Sequence, residues 1–175
     1  MKKGVIIYES KYGATEQYAD WLSDAIQCAA LRPEKLSPSR LAQYDLLIIG
    51  SPVYLGKLRV AKWLKQNLSA FARKQVLLFI VCGTSEAEQH ERSRIIHDNL
   101  PPDFIARTQI FFLPGRCSPE RISIKDRLLL AFGSLLQKDP QVKSGMRFGF
   151  NRMDRGSLEP VIGTANQYLM DMVDS

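Results

Sequence analysis

The chain has 175 residues, 45% of them hydrophobic and 24% charged, which fits one globular domain with an ordinary core and excludes global disorder. Its 24 Lys+Arg against 18 Asp+Glu leave a net charge of +6, a positive field that favours anionic partners and equally serves solubility. Three scattered cysteines, Cys28, Cys82 and Cys117, are too few for a disulfide framework and have no metal-ligand spacing, so reduced thiols are expected.

Nothing in the chain reads as nucleic-acid recognition. There is no zinc finger, no RNP-like aromatic motif and no basic helix with base-reading side chains. No stretch approaches the ~18 apolar residues of a spanning helix. The apolar run Gly4–Tyr8 after Met1-Lys2-Lys3 is shorter than a signal-peptide core and enters a loop at once, so a cytoplasmic location is expected.

Val5–Tyr8 is a continuous apolar run, the pattern of a strand buried on both faces of a parallel sheet. The loop 10–15 follows. Tyr18, Leu22, Ala25, Ile26 and Ala29 then recur at helical spacing on one face. Leu31–Leu36 reads as a weak strand, and Pro33 assigns it to a sheet edge. Asp45–Ile49 is the next buried strand, with a stop at Gly50-Ser51-Pro52. Val60–Phe71 reads as a helix with Val60, Trp63, Leu64, Leu68 and Phe71 on one side. Val76–Val81 is a strand stopped by Cys82-Gly83-Thr84, and a polar helix runs from about Glu86 to Asn99. Ile110–Leu113 is the last strand, closed by Pro114-Gly115. A final helix is expected from Ser157 to Val173, with Ser157 as its cap and Pro160 in its first turn.

Strands alternating with helices imply crossover connections, a parallel sheet and helices on both faces. Ligands of such open sheets sit beyond the carboxyl ends of the strands. Three loops lie there: 10–15, 50–56 and 82–85. Residues 116–156 break the alternation with an apolar segment at 122–136, followed by Lys138, Lys143, Arg147, Arg152 and Arg155.

Ser10-Lys11-Tyr12-Gly13-Ala14-Thr15 joins the first strand to the first helix. A helix N-terminus offers unpaired N–H groups and the positive end of a dipole, a natural seat for phosphate. Gly13 lets the backbone turn closely, and Ser10 and Thr15 add hydroxyls. That donor set suits a phosphate monoester without a metal. Two competing phosphate motifs fail. No Gly-x-Gly-x-x-Gly occurs, and Gly50-x5-Gly56-Lys57-Leu58 is one residue too long for a P-loop and lacks its Ser/Thr.

Ser-x-Tyr-Gly-x-Thr after an N-terminal strand resembles the phosphate loop of flavodoxins, and Gly50-Ser51-Pro52-Val53-Tyr54-Leu55-Gly56 resembles the loop that lies along the isoalloxazine ring in that family. The resemblance implies a three-layer α/β flavodoxin-like fold, with a five-stranded parallel sheet of order 2-1-3-4-5, in one domain carrying an insert at about 116–156. It implies FMN, bound by Ser10, Lys11, Tyr12, Gly13, Ala14, Thr15, Pro52, Val53, Tyr54, Leu55, Gly56, Cys82, Gly83 and Thr84. Tyr54 is the aromatic suited to stack on a flavin, with core packing as the alternative.

Three features depart from ordinary electron-carrier flavodoxins: the positive charge, the lack of an aromatic after Gly83, and the insert. The insert is similar in position and character to that of the flavodoxin-type, menaquinone-dependent protoporphyrinogen IX dehydrogenases of haem biosynthesis. Lys125-Asp126-Arg127-Leu128-Leu129-Leu130 and the Lys138–Lys143 stretch carry that resemblance. It implies a flat anionic substrate and a quinone acceptor, with Arg and Lys pairing the substrate carboxylates. For 122–136 three readings stand open: packing on the domain, a homodimer interface, and peripheral contact with an anionic membrane surface. The alternative function is an electron-transfer flavodoxin serving redox partner proteins; a flavin-free binding module is a third. No general base is identifiable. His90 and His97 lie on the polar helix, where a solvent-facing side chain is expected, and Cys82 reads as a small buried strand-end residue rather than a redox thiol.

Overall fold

The computed structural model describes residues 3–83, 89–117 and 149–170. Five parallel strands form the central sheet: β1 (Gly4–Tyr8), β2 (Ala29–Leu31), β3 (Leu46–Tyr54), β5 (Gln75–Cys82) and β6 (Gln109–Pro114). They lie in the order β2-β1-β3-β5-β6, which is 2-1-3-4-5 when the parallel strands alone are counted. A two-residue strand, β4 (Lys57–Leu58), pairs antiparallel with the end of β3.

Each strand alternates its side chains between two cores. Val5, Ile7, Leu47, Ile49, Leu78 and Ile80 point to one face. There they meet the one-turn α2 (Pro38–Leu41), α3 (Ala61–Asn67), α4 (Gln89–Asn99) and α5 (Pro102–Arg107) through Leu41, Leu64, Ile95 and Phe104. Ile6, Ile48, Leu77 and Phe79 point to the other. There α1 (Ala14–Ile26) and α6 (Glu159–Met170) supply Tyr18, Leu22, Val161 and Ala165. The central strands read as unbroken apolar runs because both faces are covered.

Several boundaries differ from the sequence expectation. Ala25 is exposed, and Ala29 is not helical: α1 ends at Ile26, Gln27 takes a left-handed φ of 53°, and Ala29 pairs with Val5. The edge strand is therefore Ala29–Leu31, which starts two residues before the expected Leu31–Leu36 and ends where that was to begin. Pro33 instead opens a short 3-10 turn, a position where its missing N–H costs nothing. Gly50-Ser51-Pro52 does not stop β3. Those residues stay in register with Phe79, Ile80 and Val81, so sheet pairing overrides their turn propensity. The turn falls at Leu55-Gly56, whose φ values are 51° and 72°. Asp154, not Ser157, caps the last helical segment: its carboxylate accepts from Gly156 N at 3.1 Å, and a 3-10 turn over Arg155–Leu158 leads into α6. Pro160 lies in the first turn of α6 as expected. The helix α5 was not foreseen.

A small hairpin brackets the insert. β7 (Arg116–Cys117) pairs antiparallel with β8 (Phe150–Asn151), so the described residues on either side of 118–148 lie side by side. Residues 118–148 between them, and with them the 122–136 segment, lie outside the described residues.

Candidate functional site

The loop 10–15 sits at the carboxyl end of β1 and runs into α1. Glu9 N donates to Gly50 O at 3.0 Å, tying the start of the first loop to β3. Gly13 is the N-cap of α1 and takes a left-handed φ of 84° that side chains resist. Its N–H donates to Ser10 Oγ at 3.1 Å, closing the loop on itself. No side chain caps the helix, so its first turn keeps open donors. Thr15 is 1% exposed, and its Oγ1 has no hydrogen-bond partner among the described residues. A buried hydroxyl left unpaired costs about 1–3 kcal/mol. It sits in the first turn of α1, directly after the loop.

The second loop is the β3–β4 hairpin, held from beneath by two side chains. Ser51 is fully buried; its Oγ accepts from Val60 N at 3.3 Å and donates to Pro52 O at 3.1 Å. Asn99, buried at the end of α4, accepts from Leu58 N at 3.0 Å and donates to Gly56 O at 2.9 Å and to Ile95 O at 2.8 Å. Its amide satisfies the turn from both sides. Sequence reasoning missed Asn99; an Asn in the last turn of a polar helix carries no signal of its own. Leu55 stands at the tip, 64% exposed.

Tyr54 is half-buried and belongs to neither core cluster. Lys11 Nζ lies 3.4 Å from the centre of its ring and 5.2 Å from that of Tyr12, so a cation–π contact joins the two loops. Val53, in contrast, packs on the α3–α5 core. Pro52 is half-buried at the base of the hairpin.

The third loop begins at Cys82, 7% exposed, and Gly83, which is exposed. Thr84 lies outside the described residues. No aromatic follows Gly83 in sequence, yet one reaches it in space: a Cβ on Gly83 would lie 2.7 Å from Phe150 Cζ. The β7–β8 hairpin also reaches the first loop, where a Cβ on Gly13 would lie 3.3 Å from Arg116 Nη2. Neither contact is visible in sequence, since both depend on where the chain returns after the insert.

Tyr18 fixes that return. Its hydroxyl donates to Pro114 O at 2.8 Å and accepts from Asp154 N at 3.1 Å, pinning both flanks of the hairpin to α1. Gly115 N donates to Cys82 O at 2.8 Å, and Arg152 N donates to Gly115 O at 3.1 Å.

Beside the site, Tyr8 donates to Glu16 Oε1 at 2.9 Å, and Arg32 pairs with the same oxygen at 3.0 Å. Burial, with the Glu16 hydrogen bond second, pushes the Tyr8 phenol above its usual range. His90 and His97 are both exposed, and His97 Nδ1 lies 2.8 Å from Ser93 O on its own helix. A cleft of about 190 Å³ lies between the 55–57 tip and the 91–98 face of α4, away from the first loop's residues. Among the described residues no group of side chains has the make-up of a metal site, and no helix is long and apolar enough to cross a membrane.

Sheet order, the glycine-turned loop at the β1–α1 junction and the second loop beyond β3 define a flavodoxin-like α/β domain. The family model described as a flavodoxin domain matches residues 5–143, and the chain belongs to that family. The chain is also similar to several solved structures. The two-electron reduced flavodoxin of Megasphaera elsdenii is 20% identical, with 64% of this chain and 83% of that one covered and a TM-score of 0.45. Flavodoxin 1 of Bacillus cereus is 18% identical, covering 65% and 85% at a TM-score of 0.42. A flavodoxin from the domain Archaea is 15% identical, covering 63% and 84% at 0.44. No curated protein matches the chain in sequence.

Proposed function

We propose that the protein is an FMN-dependent oxidoreductase whose flavin faces a flat anionic substrate, with protoporphyrinogen IX as the leading candidate and a quinone as acceptor. The observation that carries the FMN part is the unpaired, buried Thr15 Oγ1 beside the left-handed Gly13 at an uncapped helix start. These residues fit a phosphate monoester: neutral donors, a tight backbone turn and an orphan hydroxyl waiting for an acceptor.

In this reading Ser10, Lys11, Tyr12, Gly13, Ala14 and Thr15 hold the phosphate end. Pro52, Val53, Tyr54, Leu55 and Gly56 lie along the ring, with Cys82, Gly83 and Thr84 at its far side. The bound flavin supplies the capacity to accept hydride or electrons. The chain's own work is to bind, orient and exclude water. Asn99 and Ser51 keep the second loop in one shape, so the ring meets a preformed wall.

The substrate part rests on the +6 charge, the insert's resemblance to the protoporphyrinogen dehydrogenases and the place where the insert is rooted. Its two ends form the β7–β8 hairpin, next to Gly13 and Gly83 of the first and third loops. An insert rooted there is suited to meet a substrate at the flavin, and its basic side chains suit carboxylates. Its apolar 122–136 segment would bring the protein to the anionic membrane surface where a quinone resides.

The test is anaerobic. FMN-loaded protein given protoporphyrinogen IX and menaquinone forms protoporphyrin, and anionic vesicles raise the rate. A flavin-loaded protein that leaves the porphyrinogen unchanged contradicts the substrate and favours electron transfer between protein partners. Neutralising Arg127 and Lys138 without slowing the oxidation would remove the insert from the account.

A further inference from the structure

We infer that Arg116 is a charged ligand of the phosphate, giving the site a preference for a dianionic phosphate monoester that its neutral loop alone would not supply. The inference rests on the FMN reading above and adds to it a residue from outside the phosphate loop, 101 positions beyond Thr15 in the chain.

Arg116 is a misplaced charge. Arg116 extends from β7 until its Nη2 lies 3.3 Å from the Cβ position of Gly13, the N-cap of the 13-residue helix α1. A helix N-terminus is the positive end of a dipole, so a guanidinium there has the wrong sign. Such an arrangement is unfavourable in the empty protein unless an anion lies between the two. No ion pair offsets it: among the described residues no carboxylate pairs with Arg116. Its Nε is buried and makes no hydrogen bond among the described residues. Thr15, two positions after Gly13, has an Oγ1 that is equally buried and, among the described residues, equally without a partner. Two orphaned donors from different elements thus belong to side chains at the same helix start, one in the first turn of α1 and one reaching its N-cap. A phosphate with two negative charges satisfies both and reverses the sign of the helix–guanidinium interaction.

The position of Arg116 is also built in advance. β7 pairs with β8 through Arg116 and Asn151. Gly115 is hydrogen-bonded to Cys82 on one side and Arg152 on the other. Tyr18 clamps Pro114 and Asp154. The guanidinium is therefore delivered by a fixed backbone rather than by a loose surface side chain, which lowers the entropic cost of using it.

The experiment compares FMN with riboflavin, which has the same ring and no phosphate. The full-length apoprotein is titrated with each by flavin fluorescence, as wild type, Arg116→Gln and Arg116→Lys. The expected result is that Arg116→Gln weakens FMN on the order of 10- to 100-fold and leaves riboflavin within about 2-fold, since no phosphate interaction is lost there. Arg116→Lys recovers part of the loss, keeping the charge without the fork. Added salt weakens FMN binding in wild type and does so less in Arg116→Gln. Thermal melting without ligand serves as the folding control: Arg116→Gln melts no lower than wild type, because a cation has left a helix N-terminus. An FMN-to-riboflavin ratio in Arg116→Gln equal to that of wild type overturns the inference while leaving FMN binding intact. A wild-type protein that binds neither flavin overturns the FMN reading itself, and this inference with it.

Discussion

The first and second loops solve the same problem, a fixed backbone beyond a strand end, in opposite ways. Residues 10–15 hold themselves: Gly13 N closes on Ser10 Oγ, Gly13 takes φ 84°, and the helix that follows is left uncapped. Residues 53–58 are held from elsewhere, by Ser51 beneath and by Asn99 from α4. The self-held loop keeps a donor in reserve at Thr15 Oγ1; Asn99 leaves the turn it supports satisfied through Leu58 N and Gly56 O. A loop with a spare donor suits a hydrogen-bonding, charged end of a ligand. A loop with satisfied polar groups and a half-buried tyrosine suits a flat ring.

That contrast predicts which substitutions alter the fold, the ring site or the phosphate site. The largest effect is expected at the base of the second loop. A Cβ on Gly50 would lie 2.2 Å from Phe79 Cζ, inside the fully buried core. Gly50→Val should therefore cost about 3 kcal/mol or more, seen as a collapse of the melting temperature or failure to fold. An unchanged melting curve would mean that the register of β3 against β5 is not as described.

Asn99→Ala comes next. It removes the acceptor for Leu58 N in a buried position, at a cost of about 1–3 kcal/mol in denaturant unfolding. Because it loosens the ring-facing loop, it should weaken FMN and riboflavin by similar factors. Selective loss of FMN would place Asn99 at the wrong end of the ligand.

Thr15→Val reverses the pattern. Removing an unpaired buried hydroxyl should leave the ligand-free protein as stable as wild type or up to about 1 kcal/mol more so. FMN affinity should fall about 10-fold, with riboflavin unchanged. A destabilised apoprotein would show that the hydroxyl already has a partner. The smallest effect is Ser10→Ala, which loses one half-exposed acceptor for Gly13 N and should cost about 0.5–1 kcal/mol in thermal stability.

The same contrast explains what was legible in the sequence. Fold class followed from buried apolar runs alternating with helical faces, a pattern that a sheet covered on both sides leaves unbroken, whereas the strand order came from the resemblance to flavodoxins. The first loop was legible because its rules are local: a glycine for the turn, hydroxyls for donors, a helix behind. The extent of β3 was not. Gly50-Ser51-Pro52 has turn propensity, and only pairing with Phe79–Val81 keeps it extended to a turn at Leu55-Gly56. Ala25 and Ala29 carried too little side chain to mark a helix face correctly. Asn99, Arg116 and Phe150 were illegible for a common reason. Each reaches the site from an element distant in sequence, and no local pattern records where a chain returns.

The central claim is that this domain binds FMN at Ser10–Thr15, and the most direct test is the visible absorbance of the purified protein before and after incubation with FMN and removal of free flavin. The account predicts a flavin spectrum with one FMN retained per chain. A protein that is colourless as purified and retains no added FMN contradicts it.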